Sequence, residues 1–239
     1  MKLKHIPYKI DPTQRKSHYY ETLWKKVALE LLAKHDKDLK GQTLLDFGCG
    51  RGETMNFARE MSMVPTGTDV DPRCVELSSK FGDAKILDTE RVLEQFGENS
   101  FDVVASFHVL EHVPRPMETL TTLRKIARKW VIIAVPNLSR PRDMIRHRKW
   151  DGCVNEGHIQ SWDHCHFRNM AERFCGLELV EWGFDATVIP PWSNWIERFI
   201  GMKPAIALET KIFKKLWPYA GVSVIAIMKP NEEAENDDS

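Results

Sequence analysis

The sequence predicts an α/β fold, a mostly parallel sheet with helices on both faces. Three observations predict it. Short apolar runs alternate with helix-like stretches from Thr43 to Val135, the pattern of strands buried on both sides. A glycine cluster, Gly48-Cys49-Gly50-Arg51-Gly52, directly follows the first run. The chain's 239 residues, 42% hydrophobic and 28% charged, suit one globular domain with a full core.

Each element follows from local patterning. Residues 1–18 are polar, carry Pro7 and Pro12, and read as an arm. From Ser17 to His35 apolar residues recur three and four apart (Leu23, Val27, Leu31; Ala28, Leu32), which predicts one helix with an apolar face, Ser17 being a candidate cap. Thr43–Phe47 is the first strand and Glu53–Met61 the helix after the glycines. Val64–Val70 is the second strand. Asp71-Pro72 then opens a helix, with a capping acid and proline at the first helical position. Ala84–Leu87 and Phe101–Ser106 are strands three and four. A helix over Met117–Lys129 leads into strand Trp130–Val135, stopped by Pro136. Beyond it, Asp163–Phe174 reads as a helix and Leu177–Phe184 and Val222–Met228 as closing strands. Between those strands, residues 190–218 form a lid with a helix near Trp195–Ile200. The expected organisation is a single domain over 1–239: an arm and helix to residue 40, a ligand-binding core over 41–137, a substrate and lid region over 138–230, and an acidic tail over 231–239.

Charge and cysteines narrow the function. Lys plus Arg and Asp plus Glu are 34 each, for a net charge of zero. That argues against a general nucleic-acid binder, though not against a local basic patch. Five scattered cysteines without a CxxC pair predict reduced thiols, hence a cytoplasmic protein. The first residues lack the apolar run of a signal peptide, and no run approaches the roughly 18 apolar residues of a membrane span.

The glycine motif carries the chemistry. In Leu44-Leu45-Asp46-Phe47-Gly48-Cys49-Gly50-Arg51-Gly52, glycines let a ligand approach the backbone closely. Asp46, two residues before the first glycine, is unwelcome beside a phosphate but suits a ligand bearing an amine or sulfonium. Asp69, at the end of the second strand, can accept both hydroxyls of a ribose. Asp71 is better placed than Asp69 to cap the next helix. Asp88 after the third strand is the candidate for an adenine amine, with Asp83 the competing choice.

The stretches LLDFGCGRGE, TGTDVD, FDVVASFHVLEHVPRP and WVIIAVPN, over about residues 40–137, resemble the motifs of class I S-adenosylmethionine-dependent methyltransferases. In style they are similar to the quinone-biosynthesis O-methyltransferases. The resemblance implies a Rossmann-like seven-stranded sheet whose last strand is antiparallel, with S-adenosyl-L-methionine as cofactor. It places Asp46 near the methionine amine, and Gly48, Cys49 and Gly50 along the methionine and ribose. It sets Asp69 on the ribose hydroxyls, Val70 on adenine and Asp88 by the adenine amine. Phe107 and His108 would border the methionine.

Methyl transfer to an O or N acceptor on a small molecule can need a base, and histidine is the natural candidate. His108, Glu111 and His112 lie three and four apart and would share one face of a helical turn. The quinone enzymes resemble this stretch with a glutamate where His108 stands. That departure weakens a magnesium site, and no metal is expected; a plain structural role for Glu111-His112 stays open beside base or substrate contact. His158, in Gly157-His158 before the helix at 163, is the leading substrate-side candidate. His158, Asp163, His164, Cys165 and His166 match no standard zinc spacing.

The run Arg140, Arg142, Arg146, Arg148, Lys149 can be a solvated face, a clamp for an anionic substrate, or a contact to an anionic membrane. Trp150, Trp192, Trp195, Ile196, Phe199 and Ile200 can pack the lid, line a lipophilic acceptor pocket or dock on lipid. Two other readings stay open: a catalytically silent S-adenosylmethionine-binding regulatory module, and a methyltransferase acting on RNA or protein. The (D/N)PP(Y/F) arrangement of nucleic-acid base-amino methyltransferases is absent.

Overall fold

The computed structural model describes residues 19–89, 91–139, 157–189 and 192–231. The Ser17 cap, the basic run 140–149 with Trp150, and the acidic tail from 232 lie outside the described residues. Seven strands form one sheet in the order β3-β2-β1-β4-β5-β7-β6. They are β1 (Thr43–Phe47), β2 (Val64–Asp69), β3 (Asp83–Ile86), β4 (Phe101–Phe107), β5 (Ala127–Pro136), β6 (Leu177–Phe184) and β7 (Ser223–Pro230). The first five strands pair in parallel. Strand β7 runs antiparallel to both β5 and β6, as the resemblance implied.

Alternate residues of the central strands enter two cores, because successive strand side chains point to opposite faces. Leu45, Val104, Val131 and Ile133 pack with Leu120 and Leu123 of α5 (Pro116–Ile126) and Phe167 of α6 (His164–Phe174). Leu44, Val103, Ile132 and Ala134 pack on the other face with Ala28, Leu29 and Leu32 of α1 (Tyr19–His35) and Ala58 of α2 (Glu53–Glu60). Helix α3 (Pro72–Ser78) begins as its sequence foretold: the Asp71 side chain accepts the Arg73 N–H at 2.9 Å.

Three features differ most from the sequence reading. Helix α5 stops at Ile126, and residues 127–129 already belong to β5. Phe101 pairs with Ala127, while Arg128 and Lys129 reach Asp102 of β4 at 2.7 and 3.6 Å; these cross-strand partners override a locally helical sequence. A short helix, α4 (Val92–Phe96), was not foreseen. Gln95 pins it by donating to the Ile86 carbonyl and accepting the Asp88 N–H. The described part of the lid is mostly helical: α7 (Trp192–Phe199), then α8 (Met202–Ala207), which runs through a π-helical turn (Leu208–Phe213) into α9 (Lys214–Leu216).

Connections from β1 lead to β2 and β3 on one side, whereas β4 and β5 lie on the other. The carboxyl ends of β1 and β4 are therefore a topological switch point, where open α/β sheets bind ligands.

Candidate active site

The turn after β1 is built around its own hydrogen bonds. The N–H groups of Gly48 and Cys49 donate to the Thr68 carbonyl at 2.8 and 2.9 Å, and that of Gly52 donates to the Cys49 carbonyl. The Gly50 N–H donates to Asp69 Oδ2 at 2.9 Å. With these N–H groups engaged internally, the turn is not a phosphate cradle. Gly48 is obligatory on two counts: its φ is +78°, and a Cβ would stand 2.3 Å from Val109 Cγ2.

Asp46 is buried at the end of β1, and its Oδ2 has no hydrogen-bond partner. Burial pushes its carboxyl up to about 7, against the pull of the Lys25 ammonium and of the nearby Thr54 hydroxyl, which lies outside hydrogen-bond geometry. A buried carboxylate oxygen left unpaired is costly, so this atom can accept a cationic donor from a ligand. Asp69, across the turn, accepts one backbone N–H on each oxygen, from Gly50 and Asp71. Val70 beside it is 37% exposed and offers an apolar surface. Asp88 is exposed beyond β3. Asp46, Asp69 and the glycine turn therefore fit a ligand that carries an ammonium and a ribose. The Cys49 side chain turns inward, its Sγ 3.3 Å from Ser78 Oγ. Phe107 is packed in the α1-side core. Both contribute backbone rather than side chain to the turn ends.

After β4 the chain takes a left-handed step at His108, φ +56°, and its ring meets Trp24 with centroids 4.5 Å apart. Its Nε2 lies 3.0 Å from Ser223 Oγ, which lies 3.2 Å from Asp185 Oδ2. Burial pushes the Asp185 carboxyl up. His108 Nδ1 is 3.2 Å from Glu111 Oε1, and His158 Nε2 is 3.9 Å from the same oxygen. Glu111 is fully buried. Burial pushes its carboxyl up, but the His108 imidazole outweighs this and holds it below the usual glutamate range.

The two histidines named separately from sequence meet here. His112 and His158 pack edge to face, with centroids 4.8 Å apart. The His112 Nδ1–H donates to the Gly157 carbonyl and the Ile159 N–H to the Glu111 carbonyl, which ties the segment at 157 to the turn after β4. His112 is exposed, while the His158 side chain is only 13% exposed. Glu111, His112 and His158 each offer one ligand atom, all within 4.8 Å of one another. Sequence reasoning missed Asp185, Ser223 and Trp24, and it did not see that Glu111 is the buried hub. Asp185 and Ser223 meet only through the β6–β7 pairing, which no local spacing announces.

The sheet order, with an antiparallel β7 between β5 and β6, and the acid-bearing glycine turn after β1 define the class: an α/β domain of the methyltransferase type. Residues 17–181 match the family described as a methyltransferase domain, and the chain belongs to that family. A ubiquinone biosynthesis O-methyltransferase of Caulobacter vibrioides is 30% identical over 124 residues, 46% of this chain and 49% of that protein. A 2-methyl-6-phytyl-1,4-hydroquinone methyltransferase of Synechocystis is 27% identical over 168 residues, 66% of this chain and 53% of that protein. The chain thus spans about half the length of these curated relatives. Among solved structures, magnesium protoporphyrin IX methyltransferase from Synechocystis with bound S-adenosylhomocysteine superposes with a TM-score of 0.61 at 14% identity, over 91% of this chain and 90% of that one. The complex of the Haloferax volcanii Trm112 methyltransferase activator with a methyltransferase gives 0.63 at 16% identity, over 88% of this chain and 91% of that one. These last two likenesses speak to the fold.

Proposed function

We propose that the chain transfers a methyl group from S-adenosylmethionine to an oxygen or nitrogen of a small molecule. The observation that carries this reading is the unpaired, buried Oδ2 of Asp46 beneath the glycine turn, opposite an acid, Asp69, already fixed by two backbone donors. Asp46 accepts from the methionine ammonium. The backbone of Gly48, Cys49 and Gly50 lines the methionine and ribose, Asp69 accepts the ribose hydroxyls, and Val70 covers adenine with Asp88 at its amine. Phe107 and His108 border the methionine end. When bound, the cofactor supplies a sulfonium methyl group for in-line displacement, a reaction governed largely by positioning.

On the acceptor side, His158 takes the proton from an O–H or N–H acceptor, with His112 packed against it and the Glu111 carboxylate stabilising the resulting imidazolium. The relatives' names, ubiquinone biosynthesis and a phytyl hydroquinone, favour a lipophilic ring-bearing acceptor. A second reading has its own observation: the Glu111, His112 and His158 donors lie close enough to share one divalent ion, and a mixed histidine and carboxylate set suits zinc or a similar metal.

Calorimetry with S-adenosylhomocysteine, followed by transfer of labelled methyl to a panel of quinols, catechols and amines, tests the proposal. Binding plus turnover on a small acceptor is expected. Binding without turnover on that panel, or turnover only on RNA or protein, overturns it. Loss of turnover on adding a chelator, restored by one metal, selects the second reading.

A further inference from the structure

We infer that the helical excursion between β6 and β7 is a docking surface for an anionic membrane, with Trp192, Trp195 and Phe199 entering the lipid boundary and the lysines around Lys211 and Lys215 facing the headgroups. The excursion is apolar on the wrong side for a lid that only packs on its own body. Trp192, Trp195 and Phe199 recur three and seven residues apart, one face of α7, and are 61%, 55% and 64% exposed. Away from these rings Ser193 is buried, its hydroxyl accepting the Ile189 N–H at 3.0 Å. The next helix repeats this inversion. Ala205 and Glu209, four apart, are buried, whereas Ile212 and Leu216, also four apart, are exposed. Of the sixteen large apolar side chains exposed among the described residues, nine fall between 192 and 219. Exposed apolar side chains concentrated on one segment in this way mark an interaction site more often than ordinary surface.

Charge selects the partner. Arg198, Lys203, Lys211 and Lys215 are exposed on the same stretch, with Glu197 as the exposed acid. Tryptophan with lysine and arginine is the composition of an interfacial anchor. The centre of a protein–protein interface is instead depleted in lysine. No described helix is long and apolar enough to cross a membrane, so the segment lies on the surface. Its roots adjoin the candidate site: the Thr187 N–H donates to the Glu209 carbonyl, and Asp185, two residues earlier, holds the Ser223 that meets His108. The inference deepens the proposed function, since a docked lid would let a lipophilic acceptor enter from the bilayer.

Its test needs no acceptor. The full chain is sedimented with vesicles of phosphatidylcholine alone and of phosphatidylcholine with phosphatidylglycerol, at low and high salt. Binding to the anionic vesicles, weakened by salt, is expected. Lys211→Gln and Lys215→Gln should each lower the partition coefficient roughly fivefold, the equivalent of about 1 kcal/mol per basic residue near an anionic surface. Trp195→Ser with Phe199→Ser should abolish binding. Circular dichroism and S-adenosylhomocysteine binding serve as checks that each variant is folded, and the latter also reads the cofactor site separately from the lid. Equal sedimentation with and without vesicles, or variants that bind like the parent, overturns the inference. So does a dimer in light scattering that the Trp195→Ser, Phe199→Ser variant dissolves while vesicle binding is absent, which would make the face a self-association surface.

Discussion

The Gly50 N–H donates to Asp69 Oδ2 at 2.9 Å, so the acid ending β2 and the glycine turn after β1 form one unit. Asp69→Ala should therefore disturb the turn as well as remove the ribose acceptor. Charge-assisted hydrogen bonds contribute roughly 1.5–3 kcal/mol, so affinity for S-adenosylhomocysteine should fall at least tenfold by calorimetry. Unchanged affinity would sink the ribose assignment.

Asp46 gives a pH dependence with a definite sign. Its folded pKa is raised to about 7 by burial, well above the ordinary aspartate value of about 3.9. In the proposed binding mode the cofactor's ammonium pairs with the carboxylate, so affinity should rise from pH 6 to pH 8 and flatten in Asp46→Asn, which should bind weakly throughout. For folding the sign is opposite. The folded state holds this proton more tightly than the unfolded chain does, so the ligand-free protein loses stability as pH rises towards 7. Asp46→Asn should accordingly raise the ligand-free Tm at pH 8 while weakening binding.

If His158 is the base, His158→Ala should lower kcat by roughly 10²–10⁴-fold with S-adenosylhomocysteine affinity preserved. Glu111→Gln should lower kcat less and leave the fold intact, because the amide keeps the volume. A variant His158→Ala with parental kcat would favour catalysis by positioning alone.

Gly48→Ala tests the turn mechanically. The left-handed backbone costs about 1–2 kcal/mol for an L-residue, and the contact with Val109 Cγ2 adds to that. Adding Val109→Ala should recover the contact's share of the lost Tm and leave the backbone's share.

Asp102 predicts acid sensitivity at the far end of the sheet. Burial pushes its carboxyl up, but the Thr43 N–H and hydroxyl and the Arg128 guanidinium outweigh this and hold it low. Its contribution is present above the unfolded value of about 3.9 and is lost as pH falls through the lower folded value. Asp102→Asn should therefore destabilise by roughly 1–3 kcal/mol in urea at pH 7, with the gap to the parent narrowing at pH 3.

Local chemistry made much of this legible. The run Thr43–Phe47 is β1 to the residue, and Asp71-Pro72 caps α3 as read, because a buried apolar strand and a capping pair need no distant partner. The failures are where distant partners decide. Arg128 and Lys129 extend β5 because Asp102 lies across from them. His112 and His158 were weighed as separate candidates, and they share a site because the backbone at Ile159 bonds back to Glu111. Asp185 and Ser223 carry no motif; the pairing of Phe184 with Val224 brings them together. The proposed cofactor half is compact in the sequence, its acids beside their own glycine turn, whereas the proposed acceptor half is assembled from segments far apart in the chain.

The excursion that begins beyond Ala186 returns at Val222, whose N–H donates to the Ala186 carbonyl at 3.0 Å. Its two ends thus touch, like the stems of a clip. Lengthening or exchanging a segment closed in this way adds little loop-closure entropy and leaves the register of β6 on β7 untouched. On the proposed function, exchanging the segment between Ala186 and Val222 should therefore change acceptor choice while leaving S-adenosylhomocysteine affinity at Asp46 and Asp69 unaltered.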